Sequence, residues 1–332
     1  MKIVLLSDTH FGVKQNSITW MNSQIDFMYN EFIPYLKYLK KTEDIIVVHC
    51  GDVFDSRSSI NPYIASKVRE VFKNIADICT TYIVAGNHDF YSPNDDTISA
   101  LDFTLGLIDN LHIIKNEIQG LINEESNDSE VISHSLLVPW YEFDKKEKLE
   151  SYIKNYKPKR IFCHTDLTRL SKEYLEILRD TNVYSGHIHT PQKVYNLYTL
   201  GSTFPLTFAD CNAKRGFYIL DNETDELLFV EAKNVIKFWR FHNKEIFDID
   251  VTKLKNDYIE LYIDKLNLMN EEYTNRISYL SSKIHNITVV PNVEQTKQTD
   301  TVEFSNYDIG QICKDNIPDA LKQKFEEISS KS

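Results

Sequence analysis

Nowhere does the chain carry an apolar run long enough to span a bilayer, and its mean hydropathy is −0.37. Its first residues, MKIVLLSDTH, read as a strand and lack the long apolar stretch and small-residue cleavage site of a secretory signal. A cytoplasmic protein with no membrane partner is expected. Cysteine is scarce as well. Cys50, Cys79, Cys163, Cys211 and Cys313 form an odd set without a CxxC pair, so they read as reduced thiols that fill the core. Positive charge is short. Lys and Arg number 37 against 49 Asp and Glu, for a net charge of −12, which argues against wholesale nucleic-acid binding by charge. It does not exclude a metal site, because a cluster of carboxylates adds formal negative charge that bound cations offset.

Histidine and glycine are also few, 10 and 9 in 332 residues, yet Gly186, His187 and His189 crowd into YSGHIHTP (184–191). The surrounding pattern shows why that position matters. KIVLLS (2–7), DIIVVHC (44–50) and TYIVAG (81–86) are apolar runs of buried-strand length. Between them, residues 18–40 have helical apolar spacing, and 62–78 form a helix opened by Asn61 and Pro62. Strand, helix, strand, helix, strand predicts a parallel sheet with helical crossovers. Further on, helices are expected at 98–109, 144–155 and 171–179, with strands at 111–115, 117–122, 131–138, 159–164 and 182–186. An acidic hairpin tip falls at 123–130. Strands dominate 192–242 and suggest a second, largely antiparallel sheet. Residues 257–291 form a small strand–helix–strand unit, 292–301 a polar linker, and 305–314 and 318–330 two short helices.

Four loops that follow strands carry metal-binding residue types. SDTH offers Asp8 and His10, GDVFD offers Asp52 with Asp55 three further on, and GNHD offers Asn87, His88 and Asp89. The fourth region combines His164 of CHTD with His187 and His189 of GHIH. In an open α/β sheet, ligands collect at the carboxyl ends of the strands. Asp8, His10, Asp52, Asn87, His164, His187 and His189 are too many groups for one ion. They suit two ions sharing a carboxylate, with a donor mixture that favours manganese or an iron-like ion over calcium or magnesium alone. Each motif alone has a plainer reading: DxH as a turn, Asp52 as a helix cap, GNHD as a Gly–Asn turn. Their joint occurrence in this order favours the metal centre. His49, His112, His134, His242 and His285 fall outside the set, with His49 expected to be buried.

The series DTH…GDVFD…GNHD…H…GHIH resembles the calcineurin-like metallophosphoesterase superfamily, and within it the SbcD branch of double-strand-break repair nucleases from bacteria and phages. INPYIASKV after GDVFD, LLVPWY (136–141) and LYTLGSTFPLTFAD (197–210) narrow the likeness, which covers residues 1–242 closely and the remainder loosely. The resemblance implies a two-sheet α/β/β/α sandwich over 1–242, a small α/β DNA-binding cap over 243–291, and a linker with C-terminal helices over 292–332. It implies that Asp8, His10 and His189 hold one Mn2+ and Asn87, His164 and His187 a second, with iron or magnesium as substitutes and Asp52 as the bridge. His88 becomes the catalytic histidine near the scissile phosphate, with Asp55 orienting it and Asp89 supporting from behind.

The family's activity would be exonuclease and endonuclease cleavage of DNA, on double-stranded ends and single strands, by a homodimer working with an SbcC-type coiled-coil ABC ATPase. That ATPase would dock on the terminal helices, a reading that exposure of Ile309, Ile312, Leu321 and Phe325 would favour over simple packing of those helices on their own domain. Serine/threonine phosphatases lose ground because Arg57 is out of register for their Asp-Arg-Gly, and purple acid phosphatases because Phe54 stands where they carry a tyrosine ligand. A small-molecule phosphodiesterase acting on cyclic nucleotides would have nearly the same metal site without needing the C-terminal module. A non-catalytic scaffold is disfavoured by the intact His88. Lys233, Lys237, Arg240 and Lys244, interleaved with Phe238, Trp239 and Phe241, read equally as a DNA-backbone contact and as a solvated face over packed aromatics.

Overall fold

The central strands are short, apolar and buried on both faces, and they stack as the inner layers of a sandwich. The structure, a computed structural model, describes residues 1–92, 95–122, 131–254 and 256–292. The anticipated acidic tip at 123–130, the linker beyond residue 292 and both C-terminal helices lie outside the described residues.

In chain order the strands are β1 Lys2–Leu6, β2 Ile45–His49, β3 Thr81–Val84, β4 Phe90–Ser92, β5 Asp95–Ser99, β6 Leu111–Ile114, β7 Gln119–Ile122, β8 Val131–Val138 and β9 Arg160–His164. They continue with β10 Asn182–Gly186, β11 Gln192–Val194, β12 Leu197–Thr199, β13 Gly216–Asp221, β14 Leu227–Glu231, β15 Phe238–His242, β16 Tyr258–Asp264 and β17 Asn286–Asn292. The first sheet runs β14-β13-β1-β2-β3-β6, the second β11-β12-β10-β9-β8-β7. Strands β1, β2, β3 and β6 are parallel, as are β8, β9, β10 and β12.

Alternation along β1 explains the layering. Ile3 and Leu5 pack with Val48, Phe162 and Tyr184 between the two sheets, whereas Val4 and Leu6 turn outward onto the helices. On the outside of the first sheet, helix Pro62–Ala76 buries Ile64, Val68, Val71, Phe72 and Ile75, one stripe at helical spacing. Asn61 caps it by accepting from the Tyr63 N–H at 2.9 Å, with Pro62 supplying the first helical residue. Outside the second sheet, helix Lys146–Tyr156 covers a smaller cluster around Phe143, Leu149, Ile161 and Val183. The result is the α/β/β/α sandwich.

Two expectations are corrected. Strands β13 and β14 do not form a second sheet with their sequence neighbours; they extend the first sheet antiparallel to β1. The second sheet is mixed, with most of its pairs parallel. Strand β15, grouped by sequence with the catalytic region, is the first strand of a third, all-parallel sheet β15-β16-β17. That sheet packs with helix Glu271–Lys283 around Ile259, Leu261, Ile263, Tyr273 and Leu280. It joins the main body through Trp20, whose ring lies 5.7 Å from Phe238 and 5.5 Å from Tyr258 and whose Nε1–H donates to the Tyr258 hydroxyl at 3.0 Å. Among the described residues no helix is long and apolar enough to cross a membrane.

Candidate metal centre

Five parallel strands end at one edge of the sandwich, and each delivers its polar loop there. Asp8 and His10 follow β1, Asp52 follows β2, and Asn87 and His88 follow β3. His164 closes β9, and His187 and His189 follow β10. The loops are tied together by backbone. The Asp8 N–H donates to Gly51 O at 3.0 Å and the His10 N–H to Asp52 O at 3.1 Å. The segment LGSTF, singled out only by resemblance, braces the first loop. The Thr203 N–H donates to Ser7 O at 3.0 Å and the Ser202 N–H to His189 O at 3.1 Å.

All seven expected metal residues converge, in two groups. Asp8, His10 and His189 present ligand atoms within 4.8 Å of one another, and so do Asp52, His164 and His187. His10 Nε2 lies 3.1 Å from His189 Nε2 and 3.8 Å from Asp8 Oδ1. Asn87 Oδ1 lies 2.9 Å from His187 Nδ1 and 3.1 Å from His164 Nε2, which adds it to the second group. Asp52 Oδ2 sits 3.3 Å from His164 Nε2 and 3.8 Å from His10 Nε2, so one oxygen faces both groups.

Neighbouring bonds hold the remaining atoms away from the centre. His164 Nδ1 donates to Cys50 O at 2.8 Å, which leaves Nε2 free for the site. The His88 N–H donates to Asp52 Oδ1 at 2.8 Å, and the His187 N–H reaches both Asp8 oxygens at 3.1 Å.

The chemistry of this donor set fits divalent ions. Asp8 and Asp52 are 0% and 2% exposed, and their ion-pair partners among the described residues are imidazoles alone. Buried carboxylates without a Lys or Arg partner want another cation. The titration tendencies say the same. Burial alone pushes Asp52 up, but His164 and His10 hold it below the usual carboxylate range. Burial disfavours the charged form of His164, yet Asp52 raises it to about 9. His10 is likewise raised despite burial, by Asp55, Asp52 and Asp8. Burial, with His164 as neighbour, lowers His187, and burial lowers His189 against the pull of Asp8.

The local backbone is strained where these side chains leave it. Asp8, His10, Asp52 and His187 have φ of 48°, 44°, 57° and 82°. Non-glycine residues seldom adopt positive φ, and such residues cluster at functional sites. Gly51, at φ 88°, lies so close to the His164 ring that a Cβ would overlap it, and a Cβ on Gly186 would overlap Ser7 Oγ and Cys50 O.

Residues flanking the set separate into roles. His88 Nδ1 contacts the backbone oxygen of Asp55 at 2.6 Å, not its carboxylate, which instead lies 3.5 Å from His10 Nδ1. Asp55 thus meets His88 through its backbone carbonyl and His10 through its side chain. Asp89 is fully buried and accepts from the N–H groups of Gly86, Asp52 and Val53 at 2.9, 2.9 and 3.0 Å, clamping two site loops together. His49 is buried as expected, within 3.0 Å of Thr9 Oγ1, and Gln24 Nε2 donates to Thr9 O at 2.7 Å. Gln24 carries no sequence signal for that duty.

Of the cations in 233–244, Arg240 and Lys237 have carboxylate partners, Lys237 with Glu231 at 3.9 Å. Arg240 pairs with Glu260 at 2.8 Å, and the Trp239 Nε1–H donates to Asp257 at 2.7 Å.

A two-sheet sandwich with paired His/Asp/Asn groups at its strand ends defines a phosphoesterase of the two-metal type. The chain belongs to the calcineurin-like phosphoesterase family, whose model matches residues 1–191. It is similar to exonuclease subunit 1 of enterobacteria phage T4, with 24% identity over 319 residues, 91% of this chain and 88% of that protein. Among solved structures it is similar to an archaeal phosphodiesterase, at 16% identity and TM-score 0.36 over 70% of this chain and 99% of that one. It is also similar to a 5'-nucleotidase from Candida albicans, at 15% and 0.34 over 68% and 52%.

Proposed function

We propose that the protein is the nuclease subunit of a DNA double-strand-break processing complex, a manganese-dependent exonuclease and endonuclease of SbcD type. The observation that carries the reading is Asp52 Oδ2 facing both ligand groups at once. Asp8, His10 and His189 would hold the first ion and Asn87, His164 and His187 the second. When bound, two such ions supply a nucleophilic water and neutralise charge on attacking and leaving oxygens.

The protein's own residues do the rest. The Asp55 carbonyl can only accept, so His88 Nδ1 carries a proton and fixes the ring. Nε2 is then the atom that gains and gives a proton, which suits protonation of the leaving oxygen. The likeness to a phage exonuclease subunit along nearly the whole chain favours a polynucleotide substrate and a partner protein. The partners proposed are DNA ends and single strands, an SbcC-type ATPase and a second copy of the chain.

Linear duplex DNA incubated with the protein and Mn2+ tests this. Degradation that His88→Ala abolishes, with metal content unchanged, supports the reading. Hydrolysis of cyclic nucleotides with DNA left intact replaces it with the small-molecule phosphodiesterase.

A further inference from the structure

The segment LLVPWY ends at the metal centre without contributing a ligand. Pro139 caps a short helix over Trp140–Phe143, and the Trp140 N–H donates to Ala85 O at 3.1 Å, just before the GNHD loop. Two neighbours fix that turn. The Tyr141 hydroxyl donates to Ser92 O at 2.6 Å, and Glu142, fully buried, pairs with Lys145 and Lys148. The Trp140 ring is thereby held 4.8 Å from the His187 ring and 5.9 Å from the His164 ring, in tilted and edge-on contacts. His164 and His187 are 5.3 Å apart, so the three rings form one aromatic cluster on the second ligand group. Among the described residues the first group has no such wall; His10 is flanked by His88 and His189, at 5.0 and 4.9 Å.

We infer that Trp140 is a positioning residue that sets the rings of His187 and His164 and so tightens the second ion selectively. The inference rests on the two-metal reading above. Imidazole nitrogens hold a metal only when their rings are correctly aimed, and outer residues that aim them typically change affinity about 10–100-fold. His187 needs such help most, because its backbone is left-handed, at φ 82°, and its ring is only part-buried.

The test is a Mn2+ titration of metal-stripped protein, read by electron paramagnetic resonance and by tryptophan emission. For wild type, two ions bind, and the emission lost between wild type and Trp140→Phe is quenched as the second equivalent fills. Trp140→Ala should bind the first ion normally and the second about 10–100-fold more weakly, leaving a mononuclear Mn2+ signal. Trp140→Phe should restore most of the coupled two-ion signal. Equal affinities in wild type and Trp140→Ala overturn the inference, as does equal weakening of both ions, or quenching of the Trp140 emission by the first equivalent. Should Trp140→Ala not fold, Trp140→Leu takes its place, with the same expected and overturning outcomes. Failure of wild type to bind two ions overturns the two-metal reading as well.

Discussion

Asp55 serves His88 with its backbone and His10 with its side chain. Its carbonyl oxygen holds His88 Nδ1 at 2.6 Å, and its carboxylate stands 3.5 Å from His10 Nδ1. The two contacts separate by mutation. Asp55→Asn keeps the carbonyl and so keeps His88 in place, but it weakens the charge that favours His10 in its present ring orientation. His88→Ala should lower single-turnover cleavage about 10²–10⁴-fold, the usual range for losing a general acid. Asp55→Asn should lower it far less while raising the Mn2+ concentration needed for half-maximal rate. Equal losses at saturating Mn2+ would show that the carboxylate, not the carbonyl, orients His88.

Asp89 is a structural clamp whose removal should be felt in both stability and metal content. Burial and nearby Asp52 push its carboxyl up to about 7 against the pull of the Gly86 and Phe54 N–H groups. Both oxygens are occupied by N–H donors, so the ionised form is the one that fits. Asp89→Asn puts an NH2 group against N–H donors. It should cost about 2–4 kcal/mol, since buried donors lose charged acceptors. Denaturant unfolding of the metal-free protein measures this. A loss under about 0.5 kcal/mol, the range of ordinary surface changes, would contradict the clamp.

Gly186 is the glycine of GHIH, and the sheets leave no space for a side chain there. A Cβ at this position would overlap Ser7 Oγ and Cys50 O and press on Asp8 Oδ2 at 2.8 Å. Ser7 and Asp8 belong to the first ligand loop, so relief would displace the Asp8 carboxylate. Gly186→Ala should bind Mn2+ at least about 10-fold more weakly, as expected when ligand geometry is disturbed. Isothermal titration would detect it. Wild-type affinity in a folded variant would mean that the loops yield without moving Asp8.

What the chain revealed on reading, and what it hid, follows from the range of the forces involved. Every candidate ligand stands next to an apolar strand, and strand ends are local features, so Asp8 through His189 were visible together. Sheet membership was not: β13 and β14 carry no local mark of pairing with β1 rather than with β12. Strands β4 and β5 escaped because residues such as Asp95, Asp96 and Tyr91 lack the apolar alternation of a half-buried strand. Helix 18–40 was foreseen as continuous, but it contains a π-helical turn at Met28–Phe32, just ahead of Pro34, whose missing N–H an α-helix cannot accommodate without adjustment. The direction of the Asp55 carbonyl and the left-handed residues are set by the assembled loops, which no short window of sequence contains.

Proton and metal compete for the same nitrogen atoms, and this fixes how stability should vary with pH. In the metal-free protein His164 is raised from 6.5 to about 9, with Asp52 opposing the cost of burial. A histidine raised on folding adds stability that is complete below its unfolded value and lost as pH rises through the folded one. Asp52, held low, adds stability that is present above its ordinary value and lost only in acid. The Tm of chelator-treated protein should therefore fall between pH 6.5 and about 9. Saturating Mn2+ should flatten or reverse that slope, because metal binding needs unprotonated imidazole and strengthens as pH rises. Calorimetric titration in buffers of different ionisation enthalpy should show about one to two protons released per chain on loading at neutral pH. Loading without proton release would mean that His10 and His164 are already neutral, and that the buried carboxylates are balanced in some other way.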